Sequence, residues 1–296
     1  MALKKRKFTK FRPQIRSRHP SHSILRFRNK TLPLLPFKSV IRLGSTTELK
    51  SGDERIELNS INAIKNSSNK LLMKQCFTSE SVKTAIWWIY KGDENFELQT
   101  NGDAENELQH ISELTFPIIA KSKFGSRGKG NYKLNNQEEL NQWLEGKTTD
   151  RYIFEKFYNF NREYRLHVDK HGCFYTCRKM LKTDTPENSR WFRNDSNSVW
   201  ILEENTSFDR PVNWDSIVEQ CVTALKAVGL DFGAVDLRVQ GSNNNNGERR
   251  SNPDFIVIEI NSAPSFGTIT AQKYIERLPT LLKEKYNEES SKTVIA

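Results

Sequence analysis

The chain has 296 residues, 36% hydrophobic and 28% charged, which gives length for one large or two ordinary domains with a buried core. No apolar run approaches the roughly 20 residues of a membrane span, and no secretory apolar core follows the basic start, so a soluble protein with no membrane partner is expected. The net charge of +10 is uneven: residues 1–50 hold 14 Lys and Arg against Glu48 alone, so the rest of the chain sums to −3.

Residues 1–38, rich in Lys, Arg, Ser and Pro with Phe8, Phe11 and Phe27 interspersed, read as a flexible basic arm. Its charge suits RNA, DNA or another polyanion, and an acid-free, Arg- and Ser-rich start also has the character of an organellar transit peptide. The four cysteines, Cys76, Cys173, Cys177 and Cys221, form no Cys-x-x-Cys pair, which points to a reducing, cytoplasmic compartment rather than to zinc. Cys173 and Cys177 are expected on one side of a strand.

Lys38–Ser45 predicts a strand ending at a Gly turn. Two helical pieces follow, near Ile61–Asn66 and Asn69–Phe77, with Lys70 and Lys74 one turn apart. Ile86–Tyr90 reads as a strand and the acidic Gly92–Glu107 as a surface loop. Phe116–Lys121 is a strand ending in lysine, followed by Gly125, Ser126, Arg127, Gly128, Lys129 and Gly130. That spacing fits neither a Walker motif nor G-x-G-x-x-G. As a Gly-rich hairpin into Asn131–Leu134 it would let backbone N–H groups approach phosphate oxygens.

Asn135 or Asn136 is placed to cap a helix through Leu144. Arg151–Phe157 is a strand. Glu163–Asp169 alternates, with Tyr164, Leu166 and Val168 on one face and Glu163, Arg165, His167 and Asp169 on the other; Cys173–Met180 is its antiparallel partner. Asn213 should cap a helix through Val228 that Gly229 stops. Ala234–Val239 is a strand, Gly241–Asn252 a disordered connection, and Ala271–Tyr286 a helix interrupted at Pro279, with the last ten residues frayed. Between these, Asp254–Gly267 (DFIVIEINSAPSFG) reads as a strand whose alternation sets Ile256, Ile258 and Ile260 against Phe255, Val257, Glu259 and Asn261. A carboxylate and a carboxamide two residues apart suit a hard divalent cation.

The ordered set of strand-lysine, Gly-rich hairpin, strand with Glu, strand with Asp and strand with Glu-x-Asn resembles the ATP-grasp superfamily. It is most similar to its carboxylate–amine ligases, including D-alanine–D-alanine ligases, ribosomal-protein glutamate ligases and phage-encoded relatives. The resemblance covers about Val40–Tyr286 and is most specific in GLDFGAVDLRV (Gly229–Val239) and VIEINSAPSFG (Val257–Gly267). It implies an α/β (α+β) ATP-grasp fold with two lobes gripping ATP, a reduced N-terminal domain over 39–110, the ATP-grasp domain over 111–286 and a tail over 287–296.

The same resemblance implies an enzyme that forms C–N bonds, converting ATP to ADP and phosphate through an acyl phosphate, on an amino acid, peptide or protein side chain. Its setting would be a bacterial or phage-infected cell, as a monomer or an oligomer. The alternatives are a nucleic-acid-associated protein using the arm on an ATP-grasp scaffold, and an ATP-dependent kinase. Lys70 and Lys121 would reach the phosphates, and Gly125, Ser126, Gly128 and Gly130 would close over them. Glu155, Lys156 and Phe157 would lie by the adenine and Glu163 by the ribose. Asp236, Glu259 and Asn261 would hold Mg2+, or Mn2+ in its place. Arg178, Lys179 and Arg193 would flank the acyl phosphate. Ala234 stands where several family members place an arginine, and Arg238, on the same face, is the residue expected to compensate.

Overall fold

The structure, a computed structural model, describes residues 9–18, 32–49, 55–93, 95–100, 114–125, 128–265 and 267–295. Its first sheet is parallel, in the order β1 (Gln14–Ser17), β2 (Ser39–Leu43), β3 (Ile56–Leu58). All five residues of β2 are buried, as suits a parallel strand covered on both faces. The flexible arm expected over 1–38 is therefore corrected in part. Leu32, Leu35 and Phe37 pack with Tyr274, Leu278 and Leu281, and Phe11 and Leu35 exchange backbone hydrogen bonds of 2.7 and 2.8 Å. The charge of the segment masked these leucines, which supply enough apolar area to dock it. Residues 1–8 and 19–31 of the arm lie outside the described residues.

Two helices follow, α1 (Ile61–Ser68) and α2 (Lys70–Ser79). Ser60 caps the first by accepting from Ala63 N, and Asn69 caps the second by accepting from Leu71 N. The second sheet is wholly antiparallel. It comprises β4 (Trp87–Gly92), β5 (Asn95–Leu98), β6 (Ile118–Ser122), β7 (Asn131–Leu134) and β8 (Tyr152–Lys156), ordered β5-β4-β8-β6-β7. β5 replaces part of the expected loop over Gly92–Glu107: Phe96 packs against Tyr90 and Phe154, each at 5.0 Å between ring centres. Residues 101–107 of that loop lie outside the described residues. Helix α3 (Gln137–Glu145), capped by Asn136, buries Leu140 and Trp143 against this sheet.

The third sheet holds β9 (Arg162–Asp169), β10 (Gly172–Leu181), β11 (Ser198–Leu202), β12 (Phe232–Val239) and β13 (Phe255–Asn261), ordered β11-β10-β9-β12-β13 and also antiparallel. One face packs on α4 (Trp214–Val228) and on α1 and α2, burying Tyr164, Leu166, Val168, Val235, Leu237 and their neighbours. Gly229, at φ 78°, ends α4 as expected. Asn213 stands at its N-cap as expected but makes no side-chain capping bond; its Nδ2 donates instead to Asn252 Oδ1 and Pro253 O, both at 2.9 Å.

Two β-bulges break the expected alternations. In β13 the register steps from Asp236↔Glu259 to Leu237↔Val257, so Ile258 is an extra residue. Phe255, Val257 and Ile260 accordingly enter the core, and Glu259 and Asn261 do not share a face with Phe255 and Val257 as simple alternation predicts. In β10 a shift between Cys173 and Tyr175 parts the two cysteines: Cys173 packs on the α4 side, whereas Cys177 pairs with Arg165. All four cysteines are free. The 241–252 connection, expected to be disordered, is a turn in which Asn244 N donates to Glu248 O at 2.8 Å and Asn244 Oδ1 accepts from Asn246 N and Glu248 N. Helix α5 (Thr268–Ile295) runs through Pro279 and the expected frayed end. Among the described residues no helix is long and apolar enough to cross a membrane.

Candidate active site

The first half of the site is a lysine cluster. Lys121 at the end of β6 and Glu155 on β8 lie on one face of the second sheet, with Lys121 Nζ 2.6 Å from Glu155 Oε2. Lys74, one helical turn beyond Lys70, reaches the other carboxylate oxygen at 3.3 Å and donates to Thr84 Oγ1 at 2.5 Å. Lys74 is wholly buried, and burial lowers its pKa to about 8 against the opposing pull of Glu155. Burial would raise the Glu155 carboxyl, but Lys121 and then Lys74 outweigh it, so it lies below the usual range. Two lysines thus share one carboxylate. Glu155, expected beside an adenine, is 3% exposed and occupied by these lysines.

Lys70 bridges this cluster to the third sheet. Its Nζ donates to Gly125 O at 2.8 Å and lies 3.2 Å from Glu259 Oε2, while its backbone N–H donates to Lys123 O at 2.9 Å. The Gly-rich hairpin needs its glycines: a Cβ on Gly125 would meet Lys129 O at 2.5 Å, and Gly128 and Gly130 have φ of 74° and 76°. Ser126, with Arg127, lies outside the described residues.

The second half is a carboxylate cluster. Antiparallel pairing sets Asp236 opposite Glu259 and Ala234 opposite Asn261. Asn261 Nδ2 lies 3.3 Å from Asp236 Oδ2 and 3.4 Å from Glu259 Oε1, so the structure brings all three expected metal ligands together. Among the described residues no three His, Cys, Asp or Glu side chains gather at one point; this set is two carboxylates and a carboxamide. Asp236 is held by Arg165 through Nε at 2.7 Å and Nη2 at 2.8 Å. Burial raises its pKa, opposed by Arg165 and reinforced by Glu259. For Glu259 the upward push of burial loses to Lys70 and Lys121, which bring it down to about 2.

Arg165, not Arg238, is the arginine beside Asp236. Arg238 Nε donates to Glu163 at 3.1 Å and its Nη2 to Trp191 O at 2.9 Å, which corrects the expected compensation for Ala234. Glu163 is also 3.5 Å from Arg193 Nη1, so the residue expected at the ribose is held by two guanidinium groups. Lys179 Nζ donates to Arg193 O at 3.0 Å, which joins two of the three expected basic residues. Arg178 is not with them. One residue along β10 it takes the opposite face, pairing with Asp209 and lying 5.9 Å from the Tyr164 ring. Arg193 is 5% exposed, and its buried Nε has no hydrogen-bond partner among the described residues. Trp200 on β11 lies under both Arg165, at 4.8 Å, and Lys179, at 5.1 Å.

Lys74, Arg165 and Trp200 are absent from the sequence-derived set. The one-turn spacing from Lys70 and the alternation of Glu163–Asp169 carried signals for the first two; for Trp200 there was none. A cleft of about 510 Å³ is lined by Lys156, Phe157, Tyr158, Asn161, Gln240 and Arg250 among others, and Glu163 is not part of its lining. Lys156 and Phe157 thus face open space and Glu155 does not.

No protein-family model matches the chain, and no curated protein matches it. Among solved structures, D-alanine–D-alanine ligase from Bacillus anthracis complexed with ATP aligns at TM-score 0.51 and 15% identity, over 80% of this chain and 72% of that one. A carboxyaminoimidazole ribonucleotide synthase from Aspergillus clavatus complexed with ATP gives 0.49 at 16% identity, over 76% and 53%. The ATP-grasp ligase PsnB complexed with minimal precursor gives 0.48 at 16%, over 78% and 65%. At this identity the likeness shows the fold alone, and the fold is that of the ATP-grasp proteins.

Proposed function

We propose that the protein is an ATP-dependent carboxylate–amine ligase. The carrying observation is Lys70, which touches the Gly-rich hairpin and Glu259 at once and so joins a cluster rich in cations to one rich in carboxylates. A triphosphate meets the first and a divalent cation the second. Hard oxygens on adjoining strands fit magnesium, and Asp236, Glu259 and Asn261 would hold it; bound there, it neutralises charge on phosphate oxygens. In the alignment above, the D-alanine–D-alanine ligase is complexed with ATP, which supports the nucleotide reading.

In this reading Lys70, Lys121 and the backbone of Gly125, Gly128 and Gly130 bind the phosphates. Lys156 and Phe157 border the base, and Glu163 the ribose. The γ-phosphoryl group passes to a substrate carboxylate oxygen, giving an acyl phosphate and ADP. An amine nitrogen then attacks the acyl carbon, the C–O bond to phosphate breaks, and the amine releases a proton. In the same reading Lys179 and Arg193, which are in contact, would supply the fixed positive charge that orients the anionic acyl group. Purified protein with ATP, magnesium and a pool of amino acids and peptides should release phosphate, and Glu259→Ala should abolish that release. Wild-type protein that binds no ATP would end this reading.

A further inference from the structure

The third sheet ends on one side at β11, and this edge differs from the others. β1 carries Arg16, β3 Glu57, β5 Glu97 and β7 Lys133, while β13 is bridged to Thr84 and donates Val257 N to Lys83 O at 2.8 Å. Charges and coverage of this kind keep sheet edges from pairing with other chains. β11, with the sequence SVWIL, has no charge, proline or bulge, and no described strand pairs with its outer side. Val199 is 44% exposed and Trp200 38%, and Ile201 and Leu202 are half-buried, so both faces of the strand present apolar surface.

We infer that β11 docks an extended peptide segment of the substrate by strand addition. This rests on the ligase reading, because what commits the edge to substrate is its continuity with the site. Trp200 pairs with Lys179, Lys179 with Glu163 and Glu163 with Arg238; Leu202 pairs with Cys177, Cys177 with Arg165, Arg165 with Asp236 and Asp236 with Glu259. A peptide laid on β11 therefore extends two rows of the same sheet, one of which, through Cys177, Arg165 and Asp236, ends at Glu259 in the carboxylate cluster. Main-chain hydrogen bonds would supply affinity and the alternating apolar surface would supply selectivity. Charge favours a carboxylate-bearing peptide over a second copy of this chain. Arg165 and Lys179 both lie over Trp200, and Arg193, beside Lys179, keeps a buried Nε without a partner among the described residues. Two copies joined edge to edge would set like charges together.

The probe is a pool of short N-acetylated peptides, apolar at alternate positions, with free C-terminal carboxylates. A matched pool carries N-methyl groups on alternate backbone amides, which removes the donors a strand needs. The unmethylated pool should slow hydrogen exchange of the 198–202 amides by about tenfold or more. The methylated pool should not, and neither should the unmethylated pool on V199K/I201K, whose ATP binding should be unchanged. Absence of slowing, equal slowing by both pools, or slowing that grows with protein concentration alone would overturn the proposal, the last by assigning the edge to self-association. Slowed exchange in a protein that releases no phosphate would keep the docking edge and remove the ligase reading. Phosphate release on free amino acids without any slowing would do the reverse.

Discussion

The lysine cluster of the second sheet is buried and the carboxylate cluster of the third is half-buried, and they are unbalanced in opposite senses. In the first, Lys74 and Lys121 divide one carboxylate, Glu155, between them. In the second, Asp236 and Glu259 are each matched by a side chain, Arg165 and Lys70, that a metal would have to displace. The lysine side lacks an anion; the carboxylate side is held ready by stand-in cations. A nucleotide–metal complex would complete both at once, which neither phosphate nor metal alone can do.

The strongest way to break this contrast is at Lys121. Lys121→Met leaves Glu155 with one cation; phosphate release should fall at least about 100-fold, and unfolding stability by about 3 kcal/mol, read by a phosphate assay and urea denaturation. Unchanged release would remove Lys121 from the phosphate site. On the other side, Arg165→Leu strips Asp236 of its stand-in. Stability without magnesium should drop by about 3 kcal/mol, and the rise in Tm on adding magnesium should exceed that of the wild type. A smaller rise would show that Arg165 does not compete with the metal.

Lys74 sharpens the contrast through pH. Its pKa, about 8, is below the ordinary 10.5, so between those values the unfolded chain holds a proton that the native chain does not. Stability contributed by this group therefore increases as pH rises through the window, by on the order of 3 kcal/mol in all. Lys74→Met should flatten the stability–pH curve there, and an unaltered slope would contradict the burial argument. Gly125→Ala, which pushes a methyl into Lys129 O, should cut phosphate release about tenfold and lower stability by about 1–3 kcal/mol. The smallest effect is expected outside both clusters. Asn213→Ala should cost less than about 1 kcal/mol, because the Asn213 side chain tethers the 252–253 segment and makes no capping bond to α4.

Much of this was legible in the sequence because strand and helix periods report faces directly. The Lys70 spacing, the Lys121 strand end, the Gly-rich hairpin and the Glu259 and Asn261 pair emerged from local pattern, and Asp236 joined them through the family resemblance. What stayed hidden depended on long-range pairing. Glu155 read as a strand residue near an adenine, since nothing local reveals that Lys74, 81 positions earlier, points at it. Arg178 and Lys179 looked equivalent until the pleat of β10 sent them to opposite faces. β11 left no signal because five residues between turns are too few for a period to register. The leucines of 32–37 were obscured by the charge around them.

The bulge at Ile258 has a consequence for how the chain tolerates change in length. Without Ile258, Val257 would still face Leu237 and Glu259 would still face Asp236, in a strand of regular alternation. The extra residue is therefore redundant for deciding which side chains reach the site. What it adds is local twist, which re-aims the two oxygen donors that follow it. A single-residue deletion inside this strand should thus leave a folded protein whose carboxylates are correctly faced but differently tilted, which separates the identity of the side chains from their orientation.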